Sequence, residues 1–387
     1  MRDVVIVRYG EIALKGPHTR RRMEGSLLEA ISWRLRRCGF EKHDIVAEEG
    51  RIFVYPIDAS SIDVAKCLTK VFGVVSTSPA LEIPNDIETI KRVAKDVATK
   101  VLENRKVESF AIRARRVESY PITSKDIEKI VGQIVKDATG LKVDLEEPDL
   151  EIFIEVREQH AYIFTEVLRG PGGLPYGIEG KCVVLFSGGM DSTLALWMMA
   201  KRGCEVVPLH MVLKPLYGDD AFEKALRVLK MLREWIPRDS FEVLLVENYG
   251  RLLKEVARSV PTSLRCLACK RLMLLIAQRI AREIGAKAIA TGEVIGQVAS
   301  QTLDNIYAIS RNLEIPVLRP LISFDKEEIA AKLRELGLYE EACRRVATCY
   351  VVPPNPETHA DPSALEPYED LLQRLATEAR VRSIAID

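Results

Sequence analysis

Residues 181–192 read KCVVLFSGGMDS: an apolar, β-branched run that passes directly into two glycines set among serines and an aspartate. From Ser192 the segment STLALWMMAKRG has helical spacing and ends at Gly203, so the turn joins a strand to a helix. The alternation continues. CEVVPLHMVL reads as a strand, DAFEKALRVLKMLREWI as an amphipathic helix, FEVLLVENY as a strand, RLMLLIAQRIAREIG as part of a long helix, and AKAIATG as another strand. Apolar strands alternating with amphipathic helices indicate a parallel sheet covered on both faces, so a doubly wound α/β domain is expected here.

Upstream the units are shorter. VVIVRYGEIAL has strand composition and, after the loop KGPHTR, RRMEGSLLEAISWRLRRCGF is a helix closed by Gly39. RIFVYPI, VVSTSPALEI, SFAIRARRV and KVDLEEPDLEIFIEVREQHAYIFTEVL carry strands, with helices at SIDVAKCLTKVFG, IETIKRVAKDVATKVLEN and TSKDIEKIVGQIVKDATG. This rhythm predicts one or two small α/β or α+β layers. The Gly- and Pro-rich stretch from Gly170 to Lys181 has the composition of a linker or mobile loop and marks the main boundary.

A chain of 387 residues has room for two or three domains. Its 56 Lys and Arg balance 56 Asp and Glu, so any nucleic-acid surface must be a local patch. No stretch reads as a membrane span or a cleavable leader, and a cytoplasmic protein is expected. In that compartment the eight cysteines read as buried thiols, ligands or redox groups, not as a disulfide framework.

At the first strand-to-helix turn of a doubly wound sheet, glycines let backbone N–H groups approach an anion, and the new helix adds the positive end of its dipole. Asp191 is suited to hold Mg²⁺ against phosphates, and the serines add donors. The Walker lysine is missing. Alone, a glycine pair reads as a capped tight turn; five specified positions after a strand favour a nucleotide site.

SGGMDS resembles the pyrophosphatase loop of enzymes that cleave ATP between its α and β phosphates. With RYGEIALKG, GGLPYG, TGEVIGQVASQT, LRPLISFDKEEI and CYVVPPNPET, in order over about residues 1–359, the chain resembles the tRNA 4-thiouridine synthetases, in their archaeal type without a rhodanese domain. That resemblance implies a ferredoxin-like domain (1–58), a THUMP tRNA-binding domain (59–169), a linker (170–180) and an ATP-pyrophosphatase domain (181–387). It implies adenylation of a tRNA uridine O4, expected at position 8, followed by displacement of AMP with sulfur. Ser187, Gly188, Gly189, Met190, Asp191 and Ser192 would hold the pyrophosphate and Mg²⁺ of ATP, with His210 and Met211 in the same nucleotide set. Gly292, Gln297, Ser300 and Gln301 would line the site from a neighbouring strand end, and Arg319 and Lys326 would counter phosphate charge. The residues alone also admit a plain helical pair for Gln297 and Gln301 and surface cations for Arg319 and Lys326. Thr193 stands where the family usually has proline.

RCLACK sets Cys266 and Cys269 at a spacing that suits one metal, one cluster or a redox pair, and no second CxxC or CxxH completes a zinc site. The resemblance adds Cys349 as a third ligand of an iron–sulfur cluster, expected to be 4Fe-4S with one open iron for sulfide. The competing route makes Cys349 a persulfide carrier. Too few residues follow Cys349 for a rhodanese domain, which puts the cluster ahead. The sulfur source is expected to be free sulfide or a cysteine desulfurase. Cys38, Cys67, Cys182 and Cys204 read as buried thiols, and Cys343 as a weak candidate.

For tRNA, Arg113, Arg115 and Arg116 on a strand are the favoured phosphate contacts, with Arg20 and Arg21 as a second basic cluster. Arg34, Arg36 and Arg37 read as a solvated helix face, and Tyr9 and Tyr120 as stacking candidates. A homodimer is one assembly open to the chain. The rival functions are a small-molecule adenylating ligase, which leaves the first half unexplained, and a tRNA-binding protein with a decayed catalytic domain.

Overall fold

The computed structural model describes residues 1–48, 50–214, 216, 220–346 and 351–386. They form two compact units, Met1–Gly173 and Leu174–Asp387. The break falls inside the Gly- and Pro-rich stretch, which is tied down on both sides. Gly170 and Gly172 N–H bond Val75 O and Val74 O in the first unit, while Leu174 N–H bonds Lys201 O in the second.

The first unit runs β1 (Arg2–Tyr9), α1 (Pro17–Arg37), β2 (His43–Glu48), β3 (Arg51–Pro56), α2 (Ser61–Leu68), β4 (Val74–Pro84), α3 (Ile87–Asn104), β5 (Ser109–Arg116), α4 (Ser124–Thr139), β6 (Lys142–Val143), β7 (Leu150–Val156), β8 (His160–Phe164) and β9 (Leu168–Arg169). Helix α1 begins before the predicted start because Pro17 supplies a preformed first turn. All its strands share one sheet in the order β2-β3-β1-β4-β8-β7-β5-β6, with β9 beside β4.

One face of that sheet carries Val4, Ile6, Phe53, Tyr55, Ala80, Tyr162 and Phe164 as an apolar cluster. Phe53 on β3 and Tyr162 on β8 stack at 4.7 Å although β1 and β4 lie between their strands. A flat sheet would hold those strands about 14 Å apart at ~4.8 Å per step, so this sheet is strongly curled. Glu155 on β7 fastens the curl, pairing with Arg8 on β1 (3.3 Å), Arg51 on β3 (3.2 Å) and Arg157 (2.6 Å).

The cysteine expectation is corrected here. Cys38 and Cys67 are joined in a disulfide across a Cα separation of 6.5 Å. Cys38 ends α1 and Cys67 sits in α2; Arg34 Nε donates to Cys67 O at 3.2 Å, which brings the two helices side by side. Cys182 is a buried thiol as expected, its pKa pushed up to about 12 by burial.

The second unit runs β10 (Gly180–Leu185), α5 (Met190–Lys201), β11 (Cys204–Met211), α6 (Asp220–Leu232), β12 (Glu242–Val246), α7 (Tyr249–Ser259), α8 (Arg265–Glu283), β13 (Ala288–Ala290), α9 (Leu303–Ser310), β14 (Val317–Leu318), α10 (Lys326–Glu335), α11 (Tyr339–Cys343), α12 (Glu369–Glu378) and β15 (Val381–Ala385). Its sheet has the order β14-β13-β10-β11-β12-β15. Five strands are parallel, and β15 adds an antiparallel edge to β12 that the strand–helix rhythm did not foretell. The α8 helix, with Leu267, Leu272, Ile276 and Ile280 fully or almost fully buried, is the spine of the core on one face.

Candidate active site

β10 and β13 are neighbours, but the chain leaves β10 toward β11 and β13 toward β14. Their carboxyl ends therefore bound a crevice, the place where doubly wound sheets take ligands. Two glycines let its walls meet. Gly188 has φ of 75°, and a Cβ there would stand 2.7 Å from Ala225 Cα on α6. A Cβ on Gly292, just past β13, would stand 2.6 Å from the carbonyl carbon of Asp191.

Ser192 braces the turn: its Oγ accepts from Ser187 N–H at 3.2 Å, lies 3.1 Å from Ser187 Oγ and donates to Gly189 O at 3.1 Å. Helix α5 starts at Met190 with no side-chain cap, and Thr193 N–H closes its first bond onto Gly189 O at 3.0 Å. Proline at 193 could not make that bond. The N–H groups of Met190, Asp191 and Ser192 come before any intrahelical acceptor, at the positive end of the helix dipole.

A cavity of about 490 Å³ opens beside this turn. Polar groups in its lining are those of Ser187, Gly189, Asp191, Ser192, Lys224, Lys270, Thr291, Gly292, Glu293 and Gln301, and apolar ones those of Leu209, Met211, Val212, Leu213, Phe222, Met273, Leu274 and Ile309. Such a mix suits a ligand with an anionic end and a flat apolar end.

Asp191 Oδ2 accepts from Gln297 Nε2 at 3.4 Å, while Oδ1 is buried with no hydrogen-bond partner among the described residues. Burial pushes this carboxyl above the ordinary carboxylate range, opposed by the Gln297 bond and the charge of Lys326. A buried carboxylate oxygen without a donor is costly unless a cation takes the place. Gln297 and Gln301 are not a helical pair: Gln297 lies in a bend and Gln301 ends the 3-10 turn Ala299–Gln301 before α9, and the Oε1 atom of each is buried without a hydrogen-bond partner among the described residues.

Glu293 was missed in the sequence. It follows Gly292 directly, and it accepts from Lys270 Nζ at 2.8 Å, Arg319 Nε at 2.7 Å and Thr291 Oγ1 at 3.1 Å. Burial raises its carboxyl, but the two cations outweigh burial and hold it below the ordinary range. Arg319 is thereby engaged by a carboxylate and a Ser310 hydroxyl (2.8 Å) at the site's edge. Position alone was the available signal for Glu293, a carboxylate at a strand end beside a phosphate-type turn; Lys270 was hidden behind the CxxC it follows.

Of the expected nucleotide residues, Ser187, Gly189, Asp191, Ser192, His210, Met211, Gly292 and Gln301 line the cavity. Gly188 and Gln297 stand behind that lining, Ser300 is buried, Met190 is half-buried, and Lys326 is the exposed first residue of α10. His210 lies 2.9 Å through Nδ1 from Phe186 O and 5.5 Å from the Phe222 ring, and burial pushes its pKa down, so it is a neutral donor and not a cation.

Cys266 and Cys269 sit half-buried one turn apart on α8, just before Lys270, Met273 and Leu274 of the cavity wall. The Tyr249 hydroxyl lies 3.1 Å from Cys269 Sγ. Cys349 lies outside the described residues. Among the described residues no group of three or more His, Cys, Asp and Glu side chains is placed to hold a metal ion.

In the first unit, Arg113 is held by Glu151 (2.8 Å) and Leu145 O (2.8 Å), and Arg116 by Val117 O and Glu118 O. Arg20 is engaged by Glu24 and Tyr9. Arg115 and Arg21 are exposed. Tyr9 is buried, so its ring is not presented for stacking, while Tyr120 is half-buried and donates through its hydroxyl to Asn85 O at 2.6 Å.

A model of the family described as thiamine biosynthesis protein (ThiI) matches residues 177–373. The probable tRNA sulfurtransferase of Methanothermobacter thermautotrophicus is 40% identical over 366 residues, which is 94% of this chain and 92% of that protein. This chain belongs to the tRNA sulfurtransferase (ThiI) family. It is an enzyme of that family, with a ThiI ferredoxin-like domain matched at residues 4–78 and a THUMP domain at 84–166. The probable tRNA sulfurtransferase of Aeropyrum pernix is 42% identical over 363 residues, covering 92% of this chain and 88% of its own. Among solved structures, a 4-thiouridine synthetase–RNA complex with bound ATP aligns over 100% of both chains, with a TM-score of 0.86 and 33% identity.

Proposed function

We propose that this tRNA sulfurtransferase family member makes 4-thiouridine in tRNA, using ATP to activate the O4 of a uridine expected at position 8. The observation that carries the reading is Asp191: its Oδ1 is buried without a donor beside the uncapped start of α5. That arrangement suits a polyphosphate with a divalent cation, and the relative solved with RNA and ATP supports both substrates.

In this reading the base and ribose of ATP lie against the apolar residues of the cavity lining, and the β and γ phosphates meet the SGGMDS turn. The uridine O4 attacks the α phosphorus, the bond to the bridging oxygen breaks, and pyrophosphate departs into the turn. Backbone N–H groups of α5 and the serine hydroxyls receive that charge. Lys224 and Lys270 in the cavity lining, the latter turned from Glu293, and Lys326, whose charge acts on Asp191, are cations available to the α phosphate. Mg²⁺ fits Asp191 Oδ1 and would neutralise the leaving pyrophosphate. Sulfur then adds at C4 and AMP leaves with the former O4.

Cys266, Cys269 and Cys349 are the residues that would hold an iron–sulfur cluster, which supplies an open iron for sulfide. The two described thiols fit that role by spacing and partial exposure, and Cys349 lies outside the described residues. The alternative route makes Cys349 a persulfide carrier. Free sulfide or a cysteine desulfurase suits the cluster route, and the persulfide route takes sulfane sulfur from a cysteine desulfurase. The tRNA is read by shape, with Arg115 and Arg21 as phosphate contacts on the first unit. No described helix is long and apolar enough to cross a membrane, and a cytoplasmic setting suits a reaction on tRNA.

The test is nucleoside mass spectrometry of unmodified tRNA after anaerobic incubation with Mg-ATP and sulfide, alongside Asp191→Ala and iron-depleted protein. Thiouridine formed by wild type and absent with Asp191→Ala is the expected result. Equal product without iron removes the cluster from the reaction, and a persulfide route then requires product when a cysteine desulfurase with cysteine replaces sulfide. ATP cleavage that ignores RNA and yields no thiouridine points to a small-molecule ligase.

A further inference from the structure

Lys224 stands just past the first turn of α6 and is only 5% exposed. Lysine is almost never buried that far without an anion beside it. Its Nζ donates to Arg344 O at 2.7 Å, and among the described residues it makes no ion pair. Glu341, whose charge reaches it, is paired with Arg227 at 2.6 Å. Burial pushes the ammonium below the ordinary lysine range, against the pull of Cys343 and Glu341. Lys270, by contrast, has Glu293 at 2.8 Å. A buried cation met by one neutral carbonyl is costly until an anion joins it.

Its place in the fold says which anion. Ala225, the next residue, packs on the SGGMDS turn, its Cα 2.7 Å from where a Cβ on Gly188 would stand. Lys224 lines the cavity together with Ser187 and Gly189 of that turn. Helix α6, which follows β11, meets the turn at Gly188, while Gly292, which follows β13, meets it at Asp191. Two bonds set the ammonium in place: Lys224 to Arg344 O and Arg227 to Glu341 tie α6 to α11 and the residue after it. An ammonium has three N–H donors. The carbonyl takes one, and two remain for a ligand.

We propose that Lys224 binds the pyrophosphate part of ATP and holds it as the leaving group, across the turn from the carboxylate of Asp191. The role transfers no proton: the ammonium keeps its three hydrogens and neutralises charge on phosphate oxygens. The inference rests on the nucleotide reading of the cavity, and of the cations within reach of the phosphates it assigns Lys224 to the pyrophosphate.

The full chain is titrated calorimetrically with Mg-pyrophosphate and, separately, with AMP, as wild type, Lys224→Met and Lys224→Arg. Lys224→Met should weaken Mg-pyrophosphate binding about tenfold or more and leave AMP within about twofold, and Lys224→Arg should recover most of the loss. Unchanged pyrophosphate affinity in Lys224→Met overturns the inference. So does a loss confined to AMP, which moves the lysine to the α phosphate, and so does an equal loss for both ligands in both variants, which leaves only the tie to Arg344 O. If Lys224→Met does not fold, the wild type carries the test: acylation of Lys224, read by peptide mass spectrometry, should be slowed by Mg-pyrophosphate and not by AMP, and equal rates with and without pyrophosphate overturn the inference. A wild type that binds neither ATP nor pyrophosphate overturns the nucleotide reading as well.

Discussion

Lys270 Nζ and Arg319 Nε hold the two oxygens of one buried carboxylate, Glu293, at 2.8 and 2.7 Å on the edge of the cavity beside the SGGMDS turn. Replacing Glu293 by Gln leaves two cations facing an amide, and loss of one member of a buried ion network costs about 3 kcal/mol. The sign of its pH dependence follows from the depressed carboxyl: its contribution is present above the unfolded pKa of ~4.3 and lost as pH falls through the lower folded value. Urea midpoints of wild type and Glu293→Gln should therefore differ at pH 7 and converge below pH 4. Parallel curves at every pH would remove the ion network from the account.

Gly292→Ala sets a methyl against the Asp191 carbonyl, where 2.6 Å is available. The turn must shift, at an overpacking cost of about 1–3 kcal/mol. ATP affinity should fall by tenfold or more in a calorimetric titration, with a smaller loss in melting temperature than a core cavity produces. Unaltered affinity would mean that the turn does not hold the nucleotide.

Arg115 and Arg113 stand two residues apart on β5 and should behave differently. Arg113 is committed to Glu151 and Leu145 O, so Arg113→Ala should act mainly on stability. Arg115 is exposed; Arg115→Ala should weaken tRNA binding and lower the slope of log affinity against log salt by about 1. Equal salt slopes for Arg115→Ala and wild type would remove Arg115 from the RNA surface.

The Cys38–Cys67 bond closes a loop of sequence separation 29, which constrains the unfolded chain by about 3–4 kcal/mol. Reductant should lower the unfolding midpoint of wild type and leave Cys38→Ala/Cys67→Ala untouched. Alkylation of both thiols in unreduced, denatured protein would show that the bond is absent.

The catalytic architecture was legible because its signals are local. KCVVLF and the helix after it have different periods, and the glycines mark where backbone must approach backbone, as Gly188 and Gly292 do. What stayed hidden depends on distant chain. β15 joins the sheet only through β12; the Cys38–Cys67 pair needs two helices to lie side by side; and Glu293 is distinguished from other acidic residues only by Lys270 and Arg319, which come from different elements. The arginine run at 113–116 looked uniform, and packing then assigned each member a separate partner or none shown.

Strand β4, Val74–Pro84, pairs with β1 on one edge and with β8 and β9 on the other. The ferredoxin-like match ends at residue 78 and the THUMP match begins at 84, so this one strand is structural property of both. With Glu155 bridging from β7 to β1 and β3, the halves have no seam along which either could be lifted out whole. A gene fusion or a recombination event that carried away only one would inherit an open sheet edge and a stranded carboxylate, and lineages that borrow this unit should be found to have moved both halves together.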